Sequence, residues 1–418
     1  MTDWFGVLEG FYGSPFAAED RLALVRWLAA EGGRDYVYSP KGDPFLRDRW
    51  RTPFPDTSML TELLAGCRDV GIRLSVVVSP GLDWRGDTDT AVLVEKLQSL
   101  ASLGISSLGI AFDDVPRGGA SLGAAHGRAV AAAAAALPDC TISTCPVDYA
   151  VSVPTSYLRA FEAELPPAVP LIWTGPSIVS PSVSVDDVLP FDRPLVLADN
   201  VPVNDGAMGG VLHLGPYPAR DPRLPEQVAG LLCNVMPLPL ASRVGVACGL
   251  RWWRDPDGDR EKQWEAVIAD VPGLLPLARS CRSWLTDPGP DASVAAWAAS
   301  RDPALEDFLA AGCRSDLPAA WQRELEPWLA AWELHAFALS YLVGLGDDPV
   351  EGAFGVAEAR RRIRAVEQQL WGIRDAVYPV TRQDGDAILP DRAGEVQGHD
   401  LVGQLCDALL DRYYGGTA

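Results

Sequence analysis

Leu108-Gly109-Ile110-Ala111-Phe112-Asp113-Asp114-Val115-Pro116 is the stretch on which the architecture turns. The apolar run Leu108 to Phe112 has the length of a buried strand and ends directly in two adjacent carboxylates. Pro116-Arg117-Gly118-Gly119 follows, so the pair sits where a strand becomes a loop. Neighbouring side chains of an extended segment point to opposite sides, which would let the two carboxylates serve two parts of one small ligand. An isolated Asp-Asp reads more simply as the start of a solvent-facing turn. The rest of the chain decides between these readings, because the same pattern recurs on both sides of it.

Upstream, Trp4 to Glu9 reads as a strand that breaks at Gly10-Phe11-Tyr12-Gly13-Ser14-Pro15, where glycines flank an aromatic pair. Glu19 to Ala30 has helical spacing, with Leu22, Val25, Trp27 and Leu28 as its apolar positions. Tyr36 to Ser39 is the next strand, stopped by Pro40 and followed by Lys41 and an arginine-rich loop through Trp50 and Arg51. Ser58 to Arg68 is a helix, Arg73 to Ser79 a strand, Pro80 to Trp84 a loop, and Thr90 to Ala101 a helix. Downstream, Ala120 to Leu137 reads as a helix, and Thr141 to Thr144 as a strand before Cys145-Pro146-Val147-Asp148-Tyr149. Thr155 to Leu165 is helical, and Val169 to Trp173 is a strand. Pro194 to Leu197 runs into Ala198-Asp199-Asn200, and Val228 to Cys233 into Asn234, before a helix near Arg260 to Asp270.

Eight strands alternating with helices predict an α/β fold, a (β/α)8 TIM-type barrel, in preference to a doubly wound sheet. The first strand is not followed by GxGxxG, which also weighs against a dinucleotide fold. Polar residues gather after strands: Lys41, Asp83, Asp113, Asp114, Asp148, Tyr149, Asn200, Asp205 and Asn234. In a barrel those ends share one face, where catalytic groups lie. After Pro288 alanine, leucine, arginine and glutamate dominate, with Trp297, Trp321, Trp328 and Trp332 spaced for apolar helix faces. Ala319 to Val343, divided by Pro327, and Val356 to Trp371 are the longest helical patterns, Thr381 to Gly398 reads as a loop, and Asp400 to Tyr414 closes the chain. The expected division is a barrel over 1-275 and a C-terminal helical bundle over 276-418, the tryptophans serving as core or interface. One apolar face of those helices is a candidate homodimer surface.

The 418 residues are 48% hydrophobic and 22% charged, the balance of a folded globular chain, and suffice for a large domain with a smaller one. A formal net charge of -21 argues against nucleic acid and anionic membranes as partners, since both are bound through lysine and arginine. The first residues carry no signal-peptide pattern, and Ala129 to Leu137 is too short to span a bilayer. Eight scattered cysteines without CxxC spacing read as reduced, so a cytoplasmic location is expected. Four histidines without ligand spacing make a metal site unexpected, and no cofactor is foreseen.

Taken together, Gly6-Val7-Leu8-Glu9-Gly10-Phe11-Tyr12-Gly13, Tyr36-Val37-Tyr38-Ser39-Pro40-Lys41 and Phe112-Asp113-Asp114 resemble glycoside hydrolase family 84. That family holds protein O-GlcNAcases and bacterial β-N-acetylglucosaminidases. Cys145-Pro146-Val147-Asp148-Tyr149, Trp173-Thr174-Gly175, Asp199-Asn200, Asn204-Asp205 and Leu214-Gly215-Pro216-Tyr217 extend the resemblance across residues 4 to 245. It implies a retaining exo-β-N-acetylglucosaminidase in which the substrate's own 2-acetamido oxygen attacks the anomeric carbon and forms an oxazoline-type intermediate. Asp113 matches the residue that orients the acetamido group, Asp114 the general acid and base, and Tyr149 the tyrosine supporting ring closure. Gly10 (through its backbone), Lys41, Asp205 and Asn234 match residues holding sugar hydroxyls, and Asn200 an asparagine near the acetamido pocket. The implied partner is an N-acetylglucosamine-containing glycoside or glycoprotein.

Paired carboxylates suit this chemistry, because two neighbouring negative charges resist forming together and one can keep its proton. Holding the acetamido oxygen against the anomeric carbon makes attack intramolecular, worth up to roughly 7–11 kcal/mol when orientation is ideal. The chain departs from the family at Ala198, where tryptophan is usual. Trp84, Phe11 or Tyr217 could replace that aromatic wall; otherwise the pocket takes a larger acyl group or another sugar. Two other readings fit the same residues: a catalytically weak N-acetylhexosamine-binding barrel, and an endo-acting glycosaminoglycan hydrolase, the latter disfavoured by the acidic composition.

Overall fold

The computed structural model describes residues 4–204, 212–281, 316–330, 381–384 and 387–390. Eight parallel strands close on themselves: β1 (Trp4–Glu9), β2 (Asp35–Tyr38), β3 (Arg73–Val78), β4 (Ser107–Ala111), β5 (Thr141–Cys145), β6 (Leu171–Trp173), β7 (Leu195–Asp199) and β8 (Gly230–Asn234). Each strand pairs with its successor, and Trp4 opposite Gly230 through Leu8 opposite Asn234 seals the circle. Buried on both faces, most of these strands are written as apolar runs, the hydroxyl-rich β5 (Thr141-Ile142-Ser143-Thr144-Cys145) being the exception. Around them lie α1 (Ala18–Ala30), α2 (Ser58–Asp69), α3 (Asp87–Ser102), α4 (Ala120–Ala136), α5 (Ser156–Glu164) and the short α6 (Leu224–Gln227).

The alanine-rich α4 owes its tight seat on α5 to two glycines one turn apart. A Cβ at Gly123 would come within 2.1 Å of Tyr157 O, and one at Gly127 within 2.5 Å of Phe161 O. Next to this contact, the imidazole of His126 stacks on Phe112 at 3.8 Å and pairs through Nδ1 with the hydroxyl of Tyr157 at 2.9 Å. Burial pushes the His126 pKa down to about 4, so a neutral ring buttresses the residue preceding Asp113.

Helices follow the barrel: α7 (Pro239–Arg254), α8 (Arg260–Ala269), α9 (Leu275–Ser280) and α10 (Ala319–Glu324). Helix α7 has no counterpart in the expected elements. Its buried residues mix small ones, Ala241, Ser242, Gly245, Ala247, Cys248 and Gly249, with Val244, Val246, Leu250 and Trp252, so they cover most of the helix surface and blur the apolar periodicity. Trp321 and Trp328 are buried in the same cluster as the barrel's outer layer, as expected of core or interface tryptophans. Helix α10 ends at Glu324, Leu325 is a bend, and a new helical turn carries Pro327, the division anticipated there. Thr381–Asp384 and Ala387–Pro390 form an antiparallel pair, β9 and β10, where a loop was expected. The apolar run Ala387-Ile388-Leu389 is only three residues long and does not stand out against its polar surroundings. Trp297, Trp332, Val356 to Trp371, Asp400 to Tyr414 and the candidate dimer face lie outside the described residues. Among the described residues, no helix is long and apolar enough to cross a membrane.

Glu324 ties α10 to the barrel. Its carboxylate accepts from the backbone N–H groups of Leu240 at 3.0 Å and Ala241 at 2.7 Å, capping α7 from a separate element. Burial pushes its pKa up from 4.5 to about 7. A carboxylate raised in the folded state contributes its stability below the unfolded pKa and loses it as pH rises through the folded one. The melting temperature should therefore fall by several degrees between pH 5 and pH 8, the loss amounting to up to about 3 kcal/mol. Glu324→Gln, which keeps an acceptor and removes the charge, should flatten that decline in thermal melts. An unchanged pH slope would show that the carboxylate is not the group responsible.

Candidate active site

At the C-terminal ends of the strands, Gly10, Lys41, Asp113, Asp114, Tyr149, Asn200 and Asn234 line one cavity of about 130 Å3. These are seven of the eight expected site residues; Asp205 lies outside the described residues. Asp83 and Asp148, also polar strand ends, are used elsewhere. Asp83 pairs with Arg51 at 2.5 Å, and Asp148 with Arg117 at 3.0 Å. Glu9, the carboxylate nearest the glycine-flanked segment, is fully buried on Arg21 at 2.8 Å and on the Tyr36 hydroxyl at 2.6 Å. It anchors the loop and takes no part in the cavity.

Strand β4 stops at Ala111, although the Phe112 N–H still reaches Cys145 O at 2.8 Å. Asp114 then adopts φ 55°, the one non-glycine in the left-handed region among the described residues. That turn replaces the simple alternation expected of an extended pair and brings both carboxylates to the same cavity. A non-glycine residue is held there at a cost of order 1 kcal/mol, a strain that clusters at functional sites.

The two carboxylates have different company. Asp113 Oδ2 meets the Lys41 ammonium, while Oδ1 is buried with no hydrogen-bond partner. Burial acts to raise the Asp113 carboxyl, but the charges of Lys41 and Arg47 and the Lys41 hydrogen bond outweigh it and hold the group below its ordinary 3.8. Asp113 is therefore an ionised acceptor with one oxygen unpaired. Lys41, matched to a sugar-holding residue, lines the cavity and makes this ion pair from it. Asp114 accepts at both oxygens, from the Tyr12 hydroxyl at 2.6 Å and the Tyr149 hydroxyl at 2.8 Å. Burial first, then the Asp114 charge, pushes both phenols far up, so they stay protonated donors.

A second relay fixes the opposite wall. Gly10 N–H donates to Asn234 Oδ1 at 3.1 Å, Asn234 Nδ2 to Asn200 Oδ1 at 2.8 Å, and Asn200 Nδ2 to Ile178 O at 2.7 Å. The N–H of Gly10 being engaged, any contact from this residue to a ligand falls to its carbonyl. Behind Asn200, Asp199 is held by the Arg220 guanidinium at 2.8 Å and the Tyr217 hydroxyl at 2.7 Å.

Tyr12 and Arg47 belong to the site and were not among the expected residues. Arg47 is buried with its guanidinium 5.5 Å from the Tyr12 ring centre and acts electrostatically on both carboxylates. The glycines around Phe11-Tyr12 and the arginine-rich loop after Lys41 were the available signals. Cys145 also lines the cavity, its thiol pushed well up by burial and so a small apolar surface rather than a nucleophile. Ala198 lines it as well, and none of the three proposed replacements does. Phe11 packs on Phe16, Trp84 on Trp50 and Phe112, and Tyr217 on Trp252.

Residues 5–282 match the model of the NAGidase family, described as beta-N-acetylglucosaminidase. Protein O-GlcNAcase of Rattus norvegicus is 30% identical over 253 residues, 55% of this chain and 27% of that protein. The Mus musculus protein O-GlcNAcase is 28% identical over the same shares. The chain thus spans about a quarter of the length of these curated relatives. In fold it is similar to a mutant of the O-GlcNAc hydrolase of Thermobaculum terrenum, with a TM-score of 0.75 at 23% identity, over 98% of this chain and 94% of that one. CpGH84B gives a TM-score of 0.73 at 22% identity, over 97% and 76%. With the family model covering the whole barrel, the chain belongs to the beta-N-acetylglucosaminidases of glycoside hydrolase family 84.

Proposed function

We propose that the chain is a retaining exo-β-N-acetylglucosaminidase that works by substrate assistance, on an N-acetylglucosamine-containing glycoside or glycoprotein. The observation that carries this is the contrast between the carboxylates: Asp113, ionised by Lys41 with a buried oxygen unpaired, and Asp114, held by two phenols. A buried carboxylate oxygen without a donor is costly, and an amide N–H is the partner that relieves it. Asp113 accepting the acetamido N–H raises electron density on the acetamido carbonyl and supports positive charge as the oxygen closes on the anomeric carbon. Tyr149, turned from Asp114 to that carbonyl oxygen, fixes its direction.

Asp114 protonates the leaving glycosidic oxygen as that bond breaks. It then takes a proton from the water that opens the oxazoline-type ring at the anomeric carbon. Two inversions give net retention, without the glycosyl-enzyme ester of ordinary retaining enzymes. Sugar hydroxyls are assigned to the Gly10 carbonyl, Lys41, Asn234 and Asp205, and Asn200 is assigned to the acetamido pocket.

Paired aryl β-glycosides, with and without the 2-acetamido group, test the reading. The acetamido substrate should be favoured by at least about a thousandfold in kcat/KM, a fraction of the intramolecular advantage available. Equal hydrolysis of the pair would sink it.

A further inference from the structure

The cavity does not end beneath Asp113. It continues along the barrel axis, where Leu8, Val77, Ile172 and Leu232 form its walls and Trp4 its floor. Trp4 and Leu8 lie four residues apart on β1, about 13 Å at the usual rise of a strand. TIM barrels normally fill this interior with layers of bulky side chains. Here the inward positions on the side below the carboxylates are small. Ala111 and Gly109 lie two and four residues before Asp113, Ser143 two before Cys145, and Ala198 two before Asn200. Ala198 is buried at 1% exposure and sits in register with Leu232, itself two residues below Asn234. The site is therefore polar at its mouth and apolar in its depth.

We infer that this lumen is an N-acyl subsite, and that the enzyme prefers 2-N-acyl glucosaminides whose acyl chain carries three to five carbons over the N-acetyl sugar. The inference rests on the substrate-assisted reading, which anchors the acyl carbonyl and N–H at Tyr149 and Asp113. With the sugar hydroxyls at the rim relay, the alkyl end of the acyl group faces the space over Ala111, Cys145 and Ala198. Acetyl reaches only the top of that space. Each further methylene leaves water for the apolar walls, which favours the longer chain up to about fourfold in kcat/KM per methylene. A charged or hydroxylated acyl group would lose its hydration without finding enough partners there.

The test uses 4-methylumbelliferyl β-glucosaminides carrying acetyl, propionyl, butyryl and pentanoyl groups, with the wild-type chain, Ala198→Leu and Ala198→Trp. In the wild type, kcat/KM should rise from acetyl to butyryl. In Ala198→Trp, the butyryl-to-acetyl ratio should fall at least tenfold, whatever the absolute rates. Should tryptophan overpack the barrel, Ala198→Leu gives a graded readout, losing pentanoyl before propionyl. A wild-type kcat/KM that stays level or falls as methylenes are added, with acetyl turned over normally, overturns the inference and leaves the activity standing. Turnover of none of the four, acetyl included, overturns the activity reading and the inference together.

Discussion

Asp114→Asn is expected to lower kcat/KM by about 10²–10⁴ for substrates with poor leaving groups, the range associated with losing a positioned proton donor. The loss should shrink towards nothing for a dinitrophenyl glycoside, whose departing oxygen needs no proton. A plot of log(kcat/KM) against leaving-group pKa should steepen accordingly. The second step should suffer as well, since the same residue is assigned the proton of the attacking water. Azide, which needs no base, should therefore accelerate turnover of activated substrates by the variant and yield the β-glycosyl azide. Asparagine is the proper replacement for a structural reason. Asp114 holds φ 55°, a conformation that asparagine tolerates and alanine does not, so Asp114→Ala would mix strain with chemistry. A uniform loss across all leaving groups would remove Asp114 from proton transfer.

The second large effect is expected from Asp113→Asn. Two losses combine there. The acetamido N–H loses a charged acceptor at the moment positive charge forms, and the Lys41 ammonium, buried beside it, loses its counter-ion. Removing one member of such a buried pair costs about 3–5 kcal/mol, part of which will appear as lowered thermal stability. In kinetics, kcat should fall by roughly 10²–10³ whatever the leaving group, as for other preorganised electrostatic contacts. That flat dependence separates Asp113 from Asp114. The double replacement Asp113→Asn with Lys41→Met should restore stability, by removing the orphaned cation, without restoring kcat. Recovery of both together would make Asp113 a structural residue only.

The barrel was legible because most of its parallel strands, buried on both faces, leave apolar runs, and because loops at one end carry the polar residues. The site was less so. Asp83 and Asp148 have the same type and the same strand-end position as Asp113, and nothing local reveals that Arg51 and Arg117 claim them. Lys41 could be placed at the rim but not on Asp113, an ion pair 72 residues apart. The left-handed turn at Asp114 is a backbone event with no mark in composition, and it is what puts both carboxylates in one cavity. Tyr12 sat inside a segment already noticed for its glycines, yet its hydroxyl reaches Asp114 only in the folded chain. Helix α7 was hidden because small residues such as Gly245, Ala247 and Gly249 are buried beside Val244, Val246, Leu250 and Trp252, which leaves no single apolar stripe to read.

The relay from Gly10 through Asn234 to Asn200 spans residues 224 apart at its first link. It therefore imposes an order on how the enzyme comes into being. During synthesis the loops bearing Lys41, Asp113 and Tyr149 emerge early, while β1 waits with an unpaired edge for β8. Such distant pairing is slow to form and leaves the edge open to wrong partners meanwhile. The Asn234–Asn200 wall of the cavity and the last strand of the barrel arrive in the same event, so a nascent chain lacking β8 has the carboxylates but not the closed cavity.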